Sequence, residues 1–227
     1  MKFLGHLDMM RYFQRAIRRA DIAIAYSEGF SPHQIMSFAA PLGVGITSDG
    51  EYFDIEARET FSTEEAMRRL NATMVEGIEV CGYVLLPEKA KTAMSIVAAA
   101  DYILSYKEGY ESPYSCEEWQ ERLQEVFLSK EEFLITKKTA KSEKVLDLKK
   151  LVYRISVEET ESGRPAFSMC ICTGSTDNIK PELVLSSIYE VCGLAYEPYA
   201  IQIHRSEVYA SSEQGFVSLL SMGEEIA

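Results

Sequence analysis

The first clear pattern along the chain is an amphipathic helix predicted over residues 6–20. Its apolar positions recur at spacings of three and four residues and fall on one side: Met10, Phe13, Ile17 and Ala20. The other side carries the four arginines of this segment: Arg11, Arg15, Arg18 and Arg19. Gly5 is the predicted N-cap, and Asp8 lies in the first turn, near the positive end of the helix dipole.

The chain from there to Pro87 predicts short strands, one turn-rich loop and a second helix. The loop spans residues 27–33, where serine, glycine and proline interrupt the apolar pattern. A capping box that begins at Ser62 predicts a helix running to about residue 74. Strands are predicted at residues 22–26, 42–47, 51–56 and 78–86, of which the middle two form a β-hairpin.

The second half of the chain alternates strands and helices in the order β-α-β-β-α-β. Strands are predicted at residues 102–106, 132–136, 151–157, 166–172 and 199–209, and apolar residues alternate in the last of them. Helices are predicted at residues 116–128 and 181–191, the second of which starts at Pro181. This order is typical of a ferredoxin-like arrangement, with an extra pairing near residues 132–157.

The predicted fold class is therefore α+β, with two tandem ferredoxin-like (βαββαβ) halves. A chain of 227 residues is long enough for two such cores. The first half, residues 1–90, lacks most of its first strand, because only a stub precedes the first helix. The second half spans residues 98–210, and residues 211–227 form an acidic tail.

The charge of the chain changes the functions that we consider. The formal net charge is −12 and the pI is about 4.8, which argues against a protein that coats nucleic acid through bulk electrostatics. Residues 1–35, however, hold five basic side chains against three acidic ones. Any anion-binding surface therefore has to be local.

Cysteine usage and hydropathy predict a cytoplasmic protein that has no membrane partner. The five cysteines are scattered and odd in number, which favours reduced thiols over a disulfide framework. No CxxC pair occurs, so the usual zinc-ribbon and redox motifs are missing. No stretch approaches the roughly 18 to 20 apolar residues that span a bilayer, and the start of the sequence does not read as a signal peptide.

The opening of the chain carries an ordered set of motifs. Phe-Leu-Gly-His-Leu-Asp at residues 3–8 precedes the arginine-rich helix, and Gly-Phe-Ser-Pro-His at residues 29–33 follows it. Two more segments come after them, at residues 37–45 and 51–54. Over residues 3–56 this order and spacing resemble the start of the radical SAM-linked family, from whose Phe-Leu-Ser-His-Leu-Asp and Gly-Phe-Asn-Pro-His motifs Gly5 and Ser31 depart.

The resemblance implies particular partners. Such domains are fused to cobalamin-binding radical SAM proteins or encoded beside them, often near RNA-processing and ribosomal genes, so the implied partners are a radical SAM (cobalamin-binding) protein and structured RNA. The chain has no CxxxCxxC motif to ligate a radical SAM cluster, so we predict no cofactor for it. The family usually has a further opening segment that supplies the first strand, and a trimmed start is therefore expected here.

The first helix and the loop after it are the candidate substrate-binding site. The helix arginines can grip phosphates with bidentate guanidinium groups, or they form a solvated face. In the loop, Gly29 permits close backbone approach and His33 can hold an anion or act as a general acid or base, or the segment is a structural turn with an exposed histidine. The candidate binding residues are Arg11, Arg15, Arg18, Arg19, Gly29, Phe30 and His33.

Other residues give further candidates. His6 and His33 are candidate catalytic residues, as general acids or bases. His6 and Asp8 lack a third ligand at useful spacing, so no metal site is predicted. Cys170 and Cys172 share one face of a strand and are predicted to pack in the core. A lysine cluster either reaches RNA or an acidic partner or is solvated: Lys137, Lys138, Lys141, Lys144, Lys149 and Lys150.

Three functions are compatible with these patterns. The first is a non-catalytic accessory protein that binds or presents substrate, expected to be RNA, to a radical SAM enzyme. The second is an RNA-processing enzyme in which His33 or His6 is the base. The third is a protein-binding adaptor, which the acidic composition favours.

Overall fold

The computed structural model describes residues 2–138, 143–174, 177–213 and 215–227 and has a mixed α+β fold. The chain divides into two units. The first consists of Met1–Gly45, Glu51–Val97 and Val208–Ala227, and the second of Ile46–Gly50 and Ala98–Glu207. Within the described ranges, no helix is long and apolar enough to cross a membrane.

The elements follow one another along the chain in a mixed order. The described helices are α1 (His6–Arg19), α2 (Thr63–Asn71), α3 (Ala93–Ile96), α4 (Cys116–Leu123), α5 (Leu148–Leu151) and α6 (Pro181–Val191). A π-helical segment, Gln124–Leu128, extends α4. Two 3-10 turns occur later, at Pro198–Ala200 and Leu219–Met222. The described strands are β1 (Met36–Phe38), β2 (Thr47–Ser48), β3 (Phe53–Ile55), β4 (Val97–Tyr106), β5 (Leu134–Lys138), β6 (Glu143–Asp147), β7 (Val152–Glu159), β8 (Pro165–Cys172), β9 (Ile201–Ser212) and β10 (Gly215–Ser218).

Helix α1 forms where its apolar spacing predicts it and ends without a glycine. Asp21 takes the left-handed conformation (φ +58°) just after the helix. The Asp21 amide donates to the Arg18 carbonyl at 3.3 Å, and the Ile22 amide donates to the Ile17 carbonyl at 3.2 Å. This is the pair of bonds that closes a Schellman motif. The turn directs the chain back towards the buried face of α1, where Ile22 joins the core.

The first unit has its core between α1, α2 and the segment after α1. Ser62 caps α2 as predicted, because its hydroxyl accepts a hydrogen bond from the Glu65 amide at 3.4 Å. The buried cluster consists of Ile17, Ala20, Ile22, Ile24, Ala66 and Leu70. A group of aromatic rings, Phe13, Phe38 and Phe53, packs with centroids 4.9 to 5.9 Å apart. These contacts fix the side of α1 that faces away from solvent.

One predicted hairpin and one predicted strand of the first half are wrong. The hairpin of residues 42–47 with 51–56 does not form, since β3 pairs antiparallel with β1 and β2 pairs parallel with β9 in the second unit. Gly45 has a φ of +89°, which breaks an extended strand at that point. The predicted strand at 22–26 is reduced to isolated bridges of Ile24 with Ala57 and Tyr26 with Gln34.

The predicted strand at residues 78–86 is also not formed, apart from a bridge at Leu85. The side chain of Asn71 takes both backbone groups of Val80: its amide donates to the Val80 carbonyl at 2.9 Å, and its oxygen accepts from the Val80 amide at 2.8 Å. An asparagine side chain thus replaces a neighbouring strand. Leu85 instead exchanges two backbone hydrogen bonds with Glu224, of 2.8 and 3.0 Å.

The C-terminal residues belong to the first unit. Strand β10 pairs antiparallel with the last residues of β9, and the chain then runs back along Leu85. Thr63 and Ile226 exchange hydrogen bonds of 2.9 and 2.8 Å at the start of α2. A Cβ at Gly223 would lie 2.7 Å from the Leu85 carbonyl oxygen, so this close approach requires glycine.

The second unit follows the order β4-α4-β7-β8-α6-β9, and its sheet has the spatial order β9-β4-β8-β7. Strands β5 and β6 form a separate hairpin, where the extra pairing near residues 132–157 was predicted. Trp119 is fully buried against the rings of Phe167 and Tyr189, and its indole N–H donates to the Ser112 hydroxyl at 2.9 Å. Two tandem ferredoxin-like halves are not confirmed, because the described strands of the first unit pair as β1 with β3 and β10 with the end of β9 in place of such an order.

Candidate nucleic-acid interface

Helix α1 presents four exposed arginines on one side. Arg11, Arg15 and Arg18 are spaced by four and three residues, which aligns side chains along a helix, and Arg19 adjoins them. The opposite side of the helix, which includes Ile17, is buried in the core of the first unit. The fold therefore sets these four residues, the arginine face, in solvent.

The guanidinium groups of the arginine face are only lightly engaged. Arg11 lies 3.7 Å from Asp8, but both side chains are mostly exposed, and such surface pairs are weak. Arg15 and Arg18 each donate from Nε to a helix carbonyl one turn earlier, at 3.2 and 3.3 Å. Among the residues that the structure describes, no carboxylate forms an ion pair with Arg15, Arg18 or Arg19. The arginine face thus offers four guanidinium groups to an anion, and three of them form no ion pair among the described residues.

The 27–33 loop is closed at its base by hydrogen bonds between its two end residues. The Ser27 amide donates to the His33 carbonyl at 2.9 Å, and the His33 amide donates to the Ser27 hydroxyl at 3.1 Å. The same hydroxyl lies 2.9 Å from His33 Nδ1. Just outside the loop, Tyr26 and Gln34 form an antiparallel bridge. The loop is therefore held in one shape at its base.

Gln34 joins the loop to the arginine helix. Its side chain is 5% exposed, and its Nε2 donates to the Gln14 carbonyl at 3.2 Å and to the Tyr26 hydroxyl at 3.4 Å. The same Gln14 carbonyl accepts the Nε–H of Arg18. The arginine face and the base of the 27–33 loop thus meet at one backbone oxygen. The sequence patterns did not predict this contact of Gln34, since it joins residues twenty positions apart in the chain.

The apex of the loop carries an aromatic ring in solvent. Phe30 is as exposed as in an extended chain, at 111%. Gly29 has a φ of +111°, in the left-handed region, and no atom lies within 4 Å of a Cβ added there. Backbone conformation, not crowding, therefore requires glycine at this position. Glu28 and Pro32 beside them are also exposed, so the apex touches no core.

The two candidate catalytic histidines have different surroundings. His33 is exposed, and its Nδ1 is bound to the Ser27 hydroxyl. His6 packs edge-on against the Phe38 ring, with centroids 5.2 Å apart. Among the described residues, no group of side chains could hold a metal ion. His33 is thus the histidine that a ligand of the loop can reach.

The described lysines of the predicted cluster have partners within the second unit. These are Lys137 with the Asn178 carbonyl (3.3 Å), Lys144 with Asp177 (3.1 Å), Lys149 with the Phe127 carbonyl (3.2 Å) and Lys150 with Asp147 (3.4 Å). Lys141 lies outside the described residues, as does the side chain of Lys138. The side chains of Lys144 and Lys150 are mostly exposed, so their ion pairs are weak, and both alternatives for the cluster stay predictions.

Cys170 and Cys172 pack in the core of the second unit, as predicted. Burial raises the pKa of the Cys170 thiol to about 12, and the neighbouring Asp101 carboxylate adds to the effect. The thiol is therefore protonated near neutral pH, and a protonated buried thiol is a poor nucleophile.

A hydrogen-bonded chain in the second unit joins three residues that the sequence patterns did not bring together. His204 Nε2 lies 3.1 Å from the Asp49 carboxylate, and His204 Nδ1 lies 3.0 Å from the Thr47 hydroxyl. The Ser48 hydroxyl donates to the Arg205 carbonyl at 2.8 Å beside them. Asp49 is mostly exposed, so the chain of bonds serves to fasten the 46–50 segment to β9.

Comparison with known proteins finds a family to which most of the chain is similar. A protein-family model described as "Uncharacterized protein conserved in bacteria (DUF2344)" matches residues 1–181. The matched region includes the arginine face and the 27–33 loop. No curated protein and no solved structure matches the chain.

Proposed function

The chain belongs to the bacterial DUF2344 family, and we propose that it is a non-catalytic accessory protein that binds structured RNA and presents it to a radical SAM enzyme. One observation carries the RNA-binding part. Arg15, Arg18 and Arg19 are exposed and form no ion pair among the described residues. They adjoin the 27–33 loop, and the side chains of Arg18 and Gln34 both donate to the Gln14 carbonyl.

Arginine chemistry supports a phosphate ligand. A guanidinium group presents a planar fork of donors that matches the phosphate oxygens, and its charge persists at any physiological pH. In this chain Arg15 and Arg18 each use only Nε for a helix carbonyl. Since the net charge of the whole chain is −12, a polyanion is repelled elsewhere and binding is confined to the local basic surface.

The proposal of a radical SAM partner rests on a different observation. Residues 3–56 resemble the radical SAM-linked family, and the chain has no CxxxCxxC motif of its own. The radical chemistry would therefore take place on the partner polypeptide. The part of this chain would be to bind the RNA and hold it in position.

Charge reversal tests the RNA-binding part directly. Arg11→Glu with Arg15→Glu should abolish the binding of an RNA hairpin, measured by fluorescence anisotropy. The matched control is Arg58→Glu with Lys130→Glu, which changes the net charge equally at two exposed positions off the arginine face. Unchanged affinity in the first variant, or equal losses in both, would contradict a specific arginine interface.

One observation favours an alternative, an RNA-processing enzyme. The Ser27 hydroxyl binds His33 Nδ1 and so orients the ring, and within the described residues Nε2 has no hydrogen-bond partner. An oriented imidazole with one open nitrogen can take a proton from a ribose 2′-hydroxyl. RNA cleavage that is lost in a His6→Ala, His33→Ala double variant would support this alternative. Cleavage that survives in the double variant would exclude it.

A further inference from the structure

The loop apex differs in chemistry from the arginine face beside it. The 27–33 loop contains no lysine or arginine, and it carries an exposed carboxylate at Glu28. A phosphate is therefore disfavoured at the apex by like-charge repulsion. What the apex does offer is the ring of Phe30, at 111% exposure. The apex therefore offers a flat, apolar surface to a ligand.

The ring is held in solvent by an ordered loop. Three hydrogen bonds between Ser27 and His33 close the base, and buried Gln34 ties that base to α1. Gly29 sets the direction of the apex through its positive φ. The backbone that carries the ring therefore loses little conformational freedom when a flat partner stacks on the ring, so stacking there is favoured over stacking on a free chain end.

We propose that Phe30 is a stacking platform for an unpaired nucleobase. This rests on the proposed function and narrows its ligand to RNA in which a paired stem adjoins a loop or a bulge. Bases inside a continuous duplex have both faces covered by their neighbours, whereas unpaired bases can be splayed out onto an aromatic side chain. The arginine face then holds the phosphates that flank this nucleobase, at the position where residues 27, 33 and 34 meet α1.

The experiment compares two RNA probes on the full chain. One is a hairpin with a 2-aminopurine in its unpaired loop, and the other is a blunt duplex with the same stem sequence. Phe30→Ala should weaken hairpin binding by about 5- to 150-fold, the range measured for single base–aromatic stacks. It should leave duplex binding and the salt dependence unchanged, because no phosphate contact is removed. Phe30→Trp should retain hairpin binding.

A matched control exists in the second unit. Tyr199 is 83% exposed, and its ring can be removed by Tyr199→Ala without touching the loop. The expected result is unchanged hairpin affinity. Quenching of 2-aminopurine by the wild-type chain, lost in Phe30→Ala and kept in Tyr199→Ala, is the signature of stacking on Phe30.

Two failures are distinguishable. If the wild-type chain binds the hairpin and the duplex equally, and Phe30→Ala matches the wild type while Arg11→Glu with Arg15→Glu abolishes binding, the stacking platform is refuted and the RNA-binding function stands. If the wild-type chain binds neither probe, or the arginine variant binds as the wild type does, the proposed function is refuted and the stacking platform with it.

Discussion

Removing two charges from the arginine face should change the salt dependence of RNA binding in a calculable way. Arg11→Gln with Arg15→Gln deletes two of the four exposed guanidinium groups and adds no negative charge. Neither side chain is buried, and the ion pair that Arg11 makes with Asp8 is 3.7 Å long and exposed. The variant should therefore fold with a stability within about 0.5 kcal/mol of the wild type.

The magnitude follows from the number of phosphates that the face can neutralise. Four contacts give a slope of log K against log salt of about −2.8 to −3.6, so affinity falls about 50- to 150-fold between about 50 and 200 mM salt. Two contacts halve that slope, and the loss over the same range becomes about tenfold. The difference between the two slopes is large enough to measure.

The assay is fluorescence anisotropy of a labelled RNA hairpin over a series of salt concentrations. Arg58→Gln with Lys130→Gln is the control, since it removes the same net charge from exposed positions elsewhere. We expect the control to keep the wild-type slope. Equal slopes in the test variant and the wild type, or the same reduction in both variants, would refute the assignment of phosphate contacts to the arginine face.

Three further predictions concern stability and loop shape. Gly29→Val forces a φ near +111° on a branched residue and should cost about 1–3 kcal/mol of loop stability, seen as weaker hairpin binding with an unchanged far-UV circular dichroism spectrum. Trp119→Ala should lower the free energy of unfolding by about 3–5 kcal/mol in urea, because the indole is fully buried. Hydrogen bonds from Arg68 and Arg69 lower the pKa of Glu65 to about 2. The stabilising effect of its carboxylate is therefore present above the ordinary glutamate pKa of 4.5 and is lost as pH falls towards 2. In Glu65→Gln, the free energy of unfolding should depend less steeply on pH between these two values.

The helices could be predicted because their signals are local. The apolar spacing of α1, the cap at Ser62 and the proline at Pro181 each act within a few residues. The strands of the second unit are long enough for their apolar residues to show, and β8 is a run of buried residues interrupted only at Ser168. Their spatial order, β9-β4-β8-β7, needed the three-dimensional structure.

The strand pairings in the first half of the chain could not be predicted because their partners are distant. Residues 42–47 have an apolar pattern, but Gly45 turns the backbone and β2 finds its partner in β9. Residues 78–86 have a similar pattern, but the backbone of Val80 is satisfied by the Asn71 side chain. An apolar strand pattern indicates which residues can take an extended conformation, but it does not identify the strand that pairs with them.

The candidate site could be predicted only in part, because only some of its features depend on local sequence signals. The arginine face follows from helical spacing, and the turn residues predict a loop at residues 27–33. The junction at Gln34 and Gln14 depends on tertiary packing and is visible only in the structure. The division into residues 1–90, 98–210 and 211–227, and the role of the site residues in binding, stay predictions.

The most direct test of the central claim is a pull-down of the tagged chain from its own cells, in which bound RNA is sequenced and bound proteins are identified together. We predict a defined RNA, enriched with a radical SAM protein and lost in the Arg11→Glu, Arg15→Glu variant. A protein partner that persists in nuclease-treated lysate, with no RNA enriched over that variant, would contradict the claim and leave the adaptor function.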